Sequence, residues 1–456
     1  LLLSASVLDV KGQNLYFPAY DTPANNNGIA DGLDGESNKR VFGKLSSGGW
    51  LLEGGFVDRK KDVPTNPSSF TEFNTPFTSQ DTNAFVNLRY ESDIGLKLHS
   101  ASRVYLGYYA YDSFRQYADY STDNLKFGRR QYEGRWWGLE QKFVANWFTD
   151  HAIVFGAEFR NDYTQNFYRS YFSPGNEKLS DDTQNFSRTT SSFYLTDEYR
   201  VSEQWSLNVG ARYDKASDLR GNVSPRVALI YRPSLTTTLK ASYSEAFRMP
   251  HAYEKYYFRT AAKPEYVRAA ELNVQQDFTS RLRFVASLYR YSRRDQLIYS
   301  DTVGDYVAKG SSQADGLEFE LQGSWENGIR SRGSVAFQHA RDTNGDDLAN
   351  SPGVLGKFNL TFPMFADTLR TGFEAQYIGP RKTLEQRSLG GLALANLTFS
   401  SERKWHGFSA SFSIRNLFDR NYEMGSLFDW RPASGIPQDS LMMDGRTYWV
   451  QLNYDL

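Results

Sequence analysis

Apolar and polar residues alternate with a period of two along most of the chain. In Leu317–Leu321 the apolar residues alternate with Glu318 and Glu320, and Phe408–Arg415 repeats the pattern. A period of two is that of a β-strand, in which successive side chains point to opposite faces. A sheet buried on both faces would place the two carboxylates in an apolar core. We therefore predict strands with one face towards hydrocarbon and the other towards water.

About twenty such segments follow one another along the chain. Short turns such as Ser46–Gly49 and Pro233–Thr236 alternate with long polar connections, as in transmembrane barrels. The predicted long connections include Pro18–Lys39, Asn66–Asp81, Asp112–Lys126, Ser170–Gln184, Met249–Val267, Asp342–Ser351 and Met424–Asp444. A soluble antiparallel sheet with one wet face has the same local pattern, so the number of segments and the spacing of the turns carry the prediction. In lipid the sheet must close, because hydrocarbon cannot satisfy the backbone groups of an open edge.

The composition supports the same fold class. The chain has 456 residues and a mean hydropathy of −0.60, yet 16% of its residues are aromatic. Many aromatic residues in a hydrophilic chain are typical of a barrel with aromatic girdles and a polar lumen. No apolar run approaches the roughly 18 to 20 residues of a membrane helix. We predict an all-β, transmembrane antiparallel β-barrel, and residues 1–456 as one domain.

The charge and the reactive side chains point away from nucleic acid and from catalysis. The net charge is −1, so no global field indicates a nucleic-acid partner. The chain has no Cys, and its five His residues are scattered without an HExxH motif. Zinc chemistry and a thiol nucleophile are therefore not expected. A Ser-His-Asp set is defined in space rather than in sequence and stays an alternative, but the prediction is that the protein is not an enzyme.

Three motifs resemble the TonB-dependent outer-membrane receptors, in the order found in that family. Asn222–Pro233 followed by Leu239–Pro250 resembles the NPRxALxYxP … LxxSYxxAFRxP hairpin, and Pro264–Gln275 resembles the descent from a loop into the next strand. The NLFDxxY element before the last outer loop is the most specific of the three. Its counterparts here are Asn416, Leu417, Phe418, Asp419 and Tyr422. Most of this element is expected to serve the barrel architecture rather than to contact ligand.

The resemblance also implies parts that this sequence does not contain. Family members carry a plug domain and a TonB-binding segment before the barrel. Matching the turns places the start of the chain at the third strand of a probable 22-stranded barrel, so that about 20 strands are visible here. The terminal strand Tyr448–Leu456 resembles the C-terminal assembly signal of the family, although that signal usually ends in an aromatic residue and this chain ends in Leu456.

Ligand recognition is expected in the outer loops, where aromatic and basic residues cluster. The densest segment, Met249–Arg259, contains Tyr253, Tyr256, Tyr257 and Arg259 near His251 and Lys255. Their rings and charges suit an aromatic or iron-chelate ligand. Trp430 and Arg431 in the last long loop, and Phe70, Phe73 and Phe77 in an earlier one, are expected to converge with them. The charged residues expected to face the lumen and form ion-pair networks are Arg212, Lys240, Glu318, Glu320 and Arg415.

Acidic loop residues are candidate cation ligands. Asp342, Asn344 and Asp346 surround a glycine turn and offer the oxygen ligands that Ca²⁺ prefers, but the Glu that completes a twelve-residue calcium loop is absent. Asp31, Asp34 and Glu36 in the first loop are a second set, similar to the calcium loops of some cobalamin receptors. A solvated turn is the alternative for both. No other cofactor is expected.

The resemblance implies a function in nutrient uptake across the Gram-negative outer membrane. The expected ligand is an iron–siderophore complex, with cobalamin, haem or a carbohydrate as alternatives. The expected partners are this ligand, outer-membrane lipid and, through the missing N-terminal part, the TonB complex. A passive porin is the second function class, although porins usually have about sixteen to eighteen strands. An outer-membrane hydrolase is the third.

Overall fold

The computed structural model describes residues 1–64, 77–119, 124–257, 263–300, 305–365, 368–402, 405–426 and 439–454. Twenty strands, numbered β1 to β20 in chain order, form one antiparallel sheet. Their bounds are Leu2–Val10 (β1), Glu36–Ser47 (β2), Trp50–Asp62 (β3), Phe77–Ile94 (β4), Leu98–Asp119 (β5), Asn124–Ala145 (β6), His151–Phe172 (β7), Lys178–Arg200 (β8), Trp205–Ala216 (β9), Asn222–Ser234 (β10), Thr237–Arg248 (β11), Glu265–Thr279 (β12), Leu282–Ser300 (β13), Asp305–Ser324 (β14), Arg330–Arg341 (β15), Val354–Met364 (β16), Leu369–Ile378 (β17), Leu392–Ser401 (β18), Phe408–Arg415 (β19) and Thr447–Tyr454 (β20).

The connections contain a few short elements. One is a helix, α1 (Ala252–Tyr257), which follows β11. The others are two 3₁₀ turns at Pro18–Tyr20 and Pro23–Gly28 and three two-stranded ribbons, which pair Leu15–Tyr16 with Ile29–Ala30, Arg381–Lys382 with Ser388–Leu389, and Glu423–Gly425 with Ser440–Met442. In the part of the chain that the structure describes, no helix has the length and apolar character needed to cross a membrane.

Each strand of the sheet pairs with the next strand along the chain. β1 pairs with β2 from Leu2 opposite Lys44 to Val10 opposite Glu36, and the ladder continues in the same way to β19 and β20. Among the described residues no register joins β1 to β20, so each of these two strands is paired on one side. The sheet of 20 strands agrees with the number expected, and the total of 22 stays a prediction.

The two faces of the sheet differ sharply in composition. One row across β11 to β15 consists of Ala241, Leu272, Leu288, Leu317 and Phe337. These side chains have no protein neighbours over much of their surface, since Leu272 is 55% and Leu288 52% exposed. The opposite face of the same strands carries Glu318 and Glu320. The predicted alternation of a hydrocarbon-facing and a water-facing side is therefore confirmed.

The polar face is the concave, inner face. Tyr253 in α1 lies five residues after β11, yet its ring meets Tyr132 on β6 and Phe167 on β7. On a flat sheet with about 4.8 Å between strands, β6 would lie about 24 Å from β11, so the sheet curves towards this face. At the same end, Leu441 before β20 packs against the buried cluster of Phe17, Tyr20 and Ala30 after β1. The sheet thus forms the wall of a barrel around a lumen.

The connections at the two ends of the barrel differ in length, as predicted, but two predicted loops are wrong. Asp112–Lys126 and Ser170–Gln184 belong largely to strands, because β5 extends to Asp119, β7 to Phe172 and β8 starts at Lys178. Strands β5 to β8 have 22 or 23 residues, twice the number needed to cross a membrane. Above the membrane both faces meet water, so polar side chains on both faces there do not distinguish strand from loop.

Glycines on the inner face make room for aromatic rings from the neighbouring strand. The ring of Tyr105 lies over Gly138, and that of Trp136 over Gly107, so that a Cβ at either glycine would overlap the ring. The Tyr105 hydroxyl then donates a hydrogen bond of 2.8 Å to Glu158 two strands away. The rings therefore lie flat along the wall and brace the strands.

Candidate functional site

An aromatic surface lines the inner face of the tall strands. Tyr111 on β5 stacks on Tyr132 on β6, with ring centroids 5.3 Å apart. Tyr132 meets Phe167 on β7 edge-on at 6.3 Å, and Phe167 stacks on Phe186 on β8 at 5.9 Å. Tyr253 from α1 covers this row from the lumen side, 6.0 Å from Tyr132 and 6.1 Å from Phe167. We call these five residues the aromatic wall.

Three arginines lie directly above the aromatic wall on the same face. Arg130 on β6 is the register partner of Arg169 on β7, and Arg115 on β5 lies opposite Gly128 one row further out. Burial, followed by repulsion from Arg130, lowers the pKa of Arg115 to about 10. Asp182 on β8 continues the row of Arg169, so that a carboxylate lies beside the guanidinium groups. An anion bound here would relieve the repulsion between the guanidinium groups.

A buried ion-pair network holds α1 in place over the aromatic wall. Arg188 on β8 is 8% exposed and donates to both carboxylate oxygens of Asp218 at 2.9 and 3.0 Å and to the carbonyl of Pro250 at 2.9 Å. Lys255 in α1 donates to the same carboxylate. Burial alone would raise the pKa of Asp218, but the hydrogen bonds from Arg188 and Lys255 outweigh it and hold this pKa below its ordinary value.

A second ion-pair network joins α1 to the ends of the two strands on either side of it, β11 and β12. Arg248 at the end of β11 donates to Glu254 in α1 at 2.9 and 3.0 Å and to Glu265 at the start of β12 at 2.9 and 3.2 Å. The hydrogen bonds from Arg248 are the main reason that the pKa of Glu265 is lowered. The Glu254 carboxylate also accepts the backbone N–H of His251 at 3.0 Å. The loop is therefore held at both of its ends.

Only part of the predicted ligand site falls within the described residues. Tyr253 lies in the aromatic wall, and Phe77 is the register partner of Arg115 on the inner face. Tyr256 and Tyr257 lie in α1, where the structure describes their backbone alone. Arg259, Trp430, Arg431, Phe70 and Phe73 lie outside the described residues.

Sequence reasoning missed most of the aromatic wall and all three arginines. Tyr111, Tyr132 and Phe167 are on strands, and Arg115 and Arg169 belong to stretches next to or within the predicted loops. One sequence signal could have indicated that β5 continues above the membrane. Tyr105, Tyr109 and Tyr111 keep the period of two and lie on its inward side.

The charged residues predicted for the lumen lie on the inner face. Arg212 on β9 donates to Glu158 at 2.8 Å and to Asp214 at 2.9 Å. Glu320 on β14 pairs with Arg332 on β15 at 2.6 Å. The register places Lys240 and Glu318 on the same face as Asn273 and Ser287, and Arg415 lies over the Trp449 ring at 4.4 Å.

The NLFDxxY element forms a turn that fastens β19 to the last loop. Asn416 and Asp419 have positive φ, a conformation that Asn and Asp adopt more readily than most residues. The Asn416 amide donates to the carbonyls of Arg420 at 2.9 Å and Asp444 at 3.4 Å. The Asp419 carboxylate accepts the backbone N–H of Arg446 at 2.7 Å. These contacts serve the architecture of the turn, whereas Phe418 is 67% exposed.

Both candidate calcium loops use their carboxylates within the protein. Asp342 accepts the backbone N–H groups of Asn344 and Asp346 at 2.8 and 3.1 Å. In the first loop, Asp34 pairs with Lys61 at 2.5 Å, and Glu36 with Arg59 at 2.8 Å. Nowhere in the described ranges do three or more His, Asp or Glu side chains form a group suited to a metal. Calcium binding therefore stays a prediction.

Twenty antiparallel strands around a polar lumen, with hydrocarbon-facing residues outside and long connections at one end, define a large outer-membrane barrel. Residues 10–417 match the family model described as TonB dependent receptor-like, beta-barrel. The chain therefore belongs to this family of Gram-negative outer-membrane barrels, and the family and localisation inferred from the sequence are confirmed.

Individual relatives agree with this assignment. A vitamin B12 transporter, BtuB, of Vibrio cholerae serotype O1 is 24% identical over 421 residues, an alignment that covers 82% of this chain and 64% of the relative. The chain therefore spans less than two thirds of the length of this relative. The ferric yersiniabactin uptake receptor FyuA of Yersinia pestis has the same fold, with a TM-score of 0.74 and 14% identity over 100% of this chain and 76% of that one. The copper transporter OprC matches with a TM-score of 0.76 and 14% identity, over 100% and 75% of the two chains.

Proposed function

We propose that the chain is the barrel of a receptor for TonB-dependent active uptake of an anionic metal chelate, first among them an iron–siderophore complex. The observation that carries the proposal is the aromatic wall with Arg115, Arg130 and Arg169 above it. Aromatic rings offer flat contact surfaces for the chelating groups, and guanidinium groups offset the negative charge of the complex.

The position of the site also favours a ligand that enters from outside the cell. The aromatic wall lies at the end of the barrel with the long connections, which is the outer end in barrels of this kind. α1 narrows the mouth there, so a ligand between the arginines and Tyr253 would rest above the lumen. Energy for its passage would come from TonB, which the resemblance places on the N-terminal part of such receptors. No covalent step is required.

Cobalamin is the second candidate, because the name of the curated relative is that of a vitamin B12 transporter. Direct binding separates the two ligands. The full-length receptor, purified in detergent, is titrated with ferric enterobactin as an anionic catecholate chelate, ferrichrome as an uncharged hydroxamate complex, and cyanocobalamin, and binding is followed by quenching of protein fluorescence.

The variant Arg130→Gln with Arg169→Gln tests the role of charge. Charge-assisted hydrogen bonds contribute about 1.5 to 3 kcal/mol each, so the loss of both contacts in this variant is expected to weaken catecholate binding by about a hundredfold or more. Ferrichrome binding should hardly change. Arg129→Gln is the matched control, because Arg129 directly precedes Arg130 on the strand, points outward and pairs with Asp112. Unchanged catecholate affinity in the double variant would contradict the proposal. So would a wild-type receptor that binds cyanocobalamin more tightly than the catecholate complex.

A passive porin is tested separately. The receptor is inserted into planar bilayers without ligand, and its conductance is measured. Active uptake predicts negligible conductance for the full-length protein, whereas a steady open conductance would support the porin.

A further inference from the structure

The outward face of β10 to β13 carries an apolar groove in the surface that meets lipid. Ala241 and Ala270 form its floor, and the larger side chains of Leu229, Tyr243, Leu272 and Leu288 form its walls. Its volume is about 810 Å³. The groove exists because Ala241 and Ala270 have only methyl side chains, whereas the residues around them on this face have long side chains.

The upper end of the groove coincides with the outer boundary of the hydrocarbon layer. The row through Ala241 is wholly apolar. The next row outward consists of Tyr243, Ala270, Arg290, Asp315 and His339, and the row after it of Glu245, Arg268, Ser292, Gln313 and Arg341. Polar and charged side chains on the lipid side of a barrel are favourable only near the interface. The groove therefore runs from hydrocarbon into the polar headgroup layer.

Arginines are concentrated at this upper end. Arg290 pairs with Asp315 at 2.5 Å and Arg268 with Glu245 at 3.2 Å, while both guanidinium groups stay more than half exposed, at 65% and 53%. Arg294 lies over the Tyr266 ring at 4.5 Å.

Arg341 is in contact with His339 and brings the number of guanidinium groups in this patch to four. Among the described residues, the carboxylates beside these groups are those of Glu245, Asp315 and Asp342. The guanidinium groups of Arg268 and Arg290 keep more than half of their surface exposed, so they can still donate hydrogen bonds to an anion.

We propose that this groove binds a phosphorylated lipid of the outer leaflet. An acyl chain lies over Ala241 and Ala270, and the phosphate is held at the upper end by Arg268 and Arg290. Guanidinium groups bind phosphate oxygens through paired hydrogen bonds. The groove and the arginines together favour one molecule with both parts, since free phosphate would leave the groove empty and an uncharged lipid would not use the exposed guanidinium donors.

Native mass spectrometry of the full-length, delipidated receptor tests this proposal. The receptor is titrated with diphosphoryl lipid A, and the bound fraction is measured for variants that keep the same heat-modifiable gel mobility. Arg268→Gln with Arg290→Gln is expected to lower the affinity by about tenfold or more, because two charge-assisted contacts are lost. Ala270→Phe, which fills the groove, should lower it as well. Asp315→Asn should raise it, because a carboxylate beside the phosphate is removed.

The matched control is Arg283→Gln. Arg283 is on the same strand as Arg290 and pairs with Asp277 at 2.6 Å, but it faces the lumen, so lipid binding should be unchanged. Equal lipid affinity in the double variant and the control would overturn the proposal. Equal binding of diacylglycerol, which has acyl chains but no phosphate, and of diphosphoryl lipid A would overturn it too, as would full displacement of the lipid by inorganic phosphate. The outcome is independent of which nutrient the receptor takes up.

Discussion

The ion pair beneath α1 predicts a measurable loosening of the mouth of the barrel. Asp218 accepts two hydrogen bonds from Arg188 and one from Lys255. Asp218→Asn keeps the shape but removes the charge, and it leaves Arg188, which is 8% exposed, without its counterion. Breaking a fully buried pair costs about 3 to 5 kcal/mol. Because Asp218 is 24% exposed, we expect about 2 to 3 kcal/mol, within the range for hydrogen bonds to charged groups.

Hydrogen–deuterium exchange of the α1 amides measures this change. If the helix exchanges through local opening, a loss of 2 to 3 kcal/mol increases its exchange rate by about 30-fold to 150-fold. Asp150→Asn is the control, because Asp150 pairs with Arg200 at the opposite end of the barrel and both side chains are exposed. There we expect less than about 0.5 kcal/mol and no effect on α1. Equal exchange of α1 in the wild type and Asp218→Asn would refute the reasoning.

Two further predictions concern the wall and the effect of pH. Gly138→Ala should destabilise the barrel by about 1 to 3 kcal/mol, because the new methyl group overlaps the Tyr105 ring. Thermal unfolding on heat-modifiability gels checks this, and Gly372→Ala, whose nearest new contact is at 3.8 Å, should be nearly neutral. The lowered pKa values of Asp218 and Glu265 stabilise the loop above the ordinary carboxyl pKa of about 4, and this stabilisation is lost as the pH falls through the lower folded values. Exchange of α1, corrected for intrinsic rates, should therefore increase below about pH 4. A separate increase is expected as the pH falls below about 6.5, because burial lowers the pKa of His251, which bonds to Glu254 in α1.

The number of strands, and which side chains point to lipid or to the lumen, could be predicted from the sequence because both depend on local periodicity. In the row of Leu317, each register partner carries the side chain that its own alternation predicts. The loop boundaries could not be read in the same way. Above the membrane, strands such as β6 and β7 are held by backbone ladders, and side chains on their two faces meet the same solvent, so the hydropathy pattern that marks a strand disappears.

The candidate site was only partly accessible to sequence reasoning for a related reason. The density of rings around Tyr253 is visible in one segment, and it indicated a ligand site. Its neighbours Tyr132 and Phe167 come from distant strands, and only the register and the curvature of the sheet bring the three together. The pairing of Arg130 with Arg169 likewise depends on one register between β6 and β7, which a shift of one residue would destroy.

The unequal height of the wall has a directional consequence for access from the cell surface. A strand of 22 residues such as β6, tilted by about 45°, rises about 50 Å, and one of 10 residues such as β17 about 23 Å. One side of the rim thus stands roughly 25 Å taller than the other. A solute that enters over the short strands faces the arginine-bearing inner surface of the tall strands directly. A solute that approaches from the outer side of the tall strands must first pass over their upper ends.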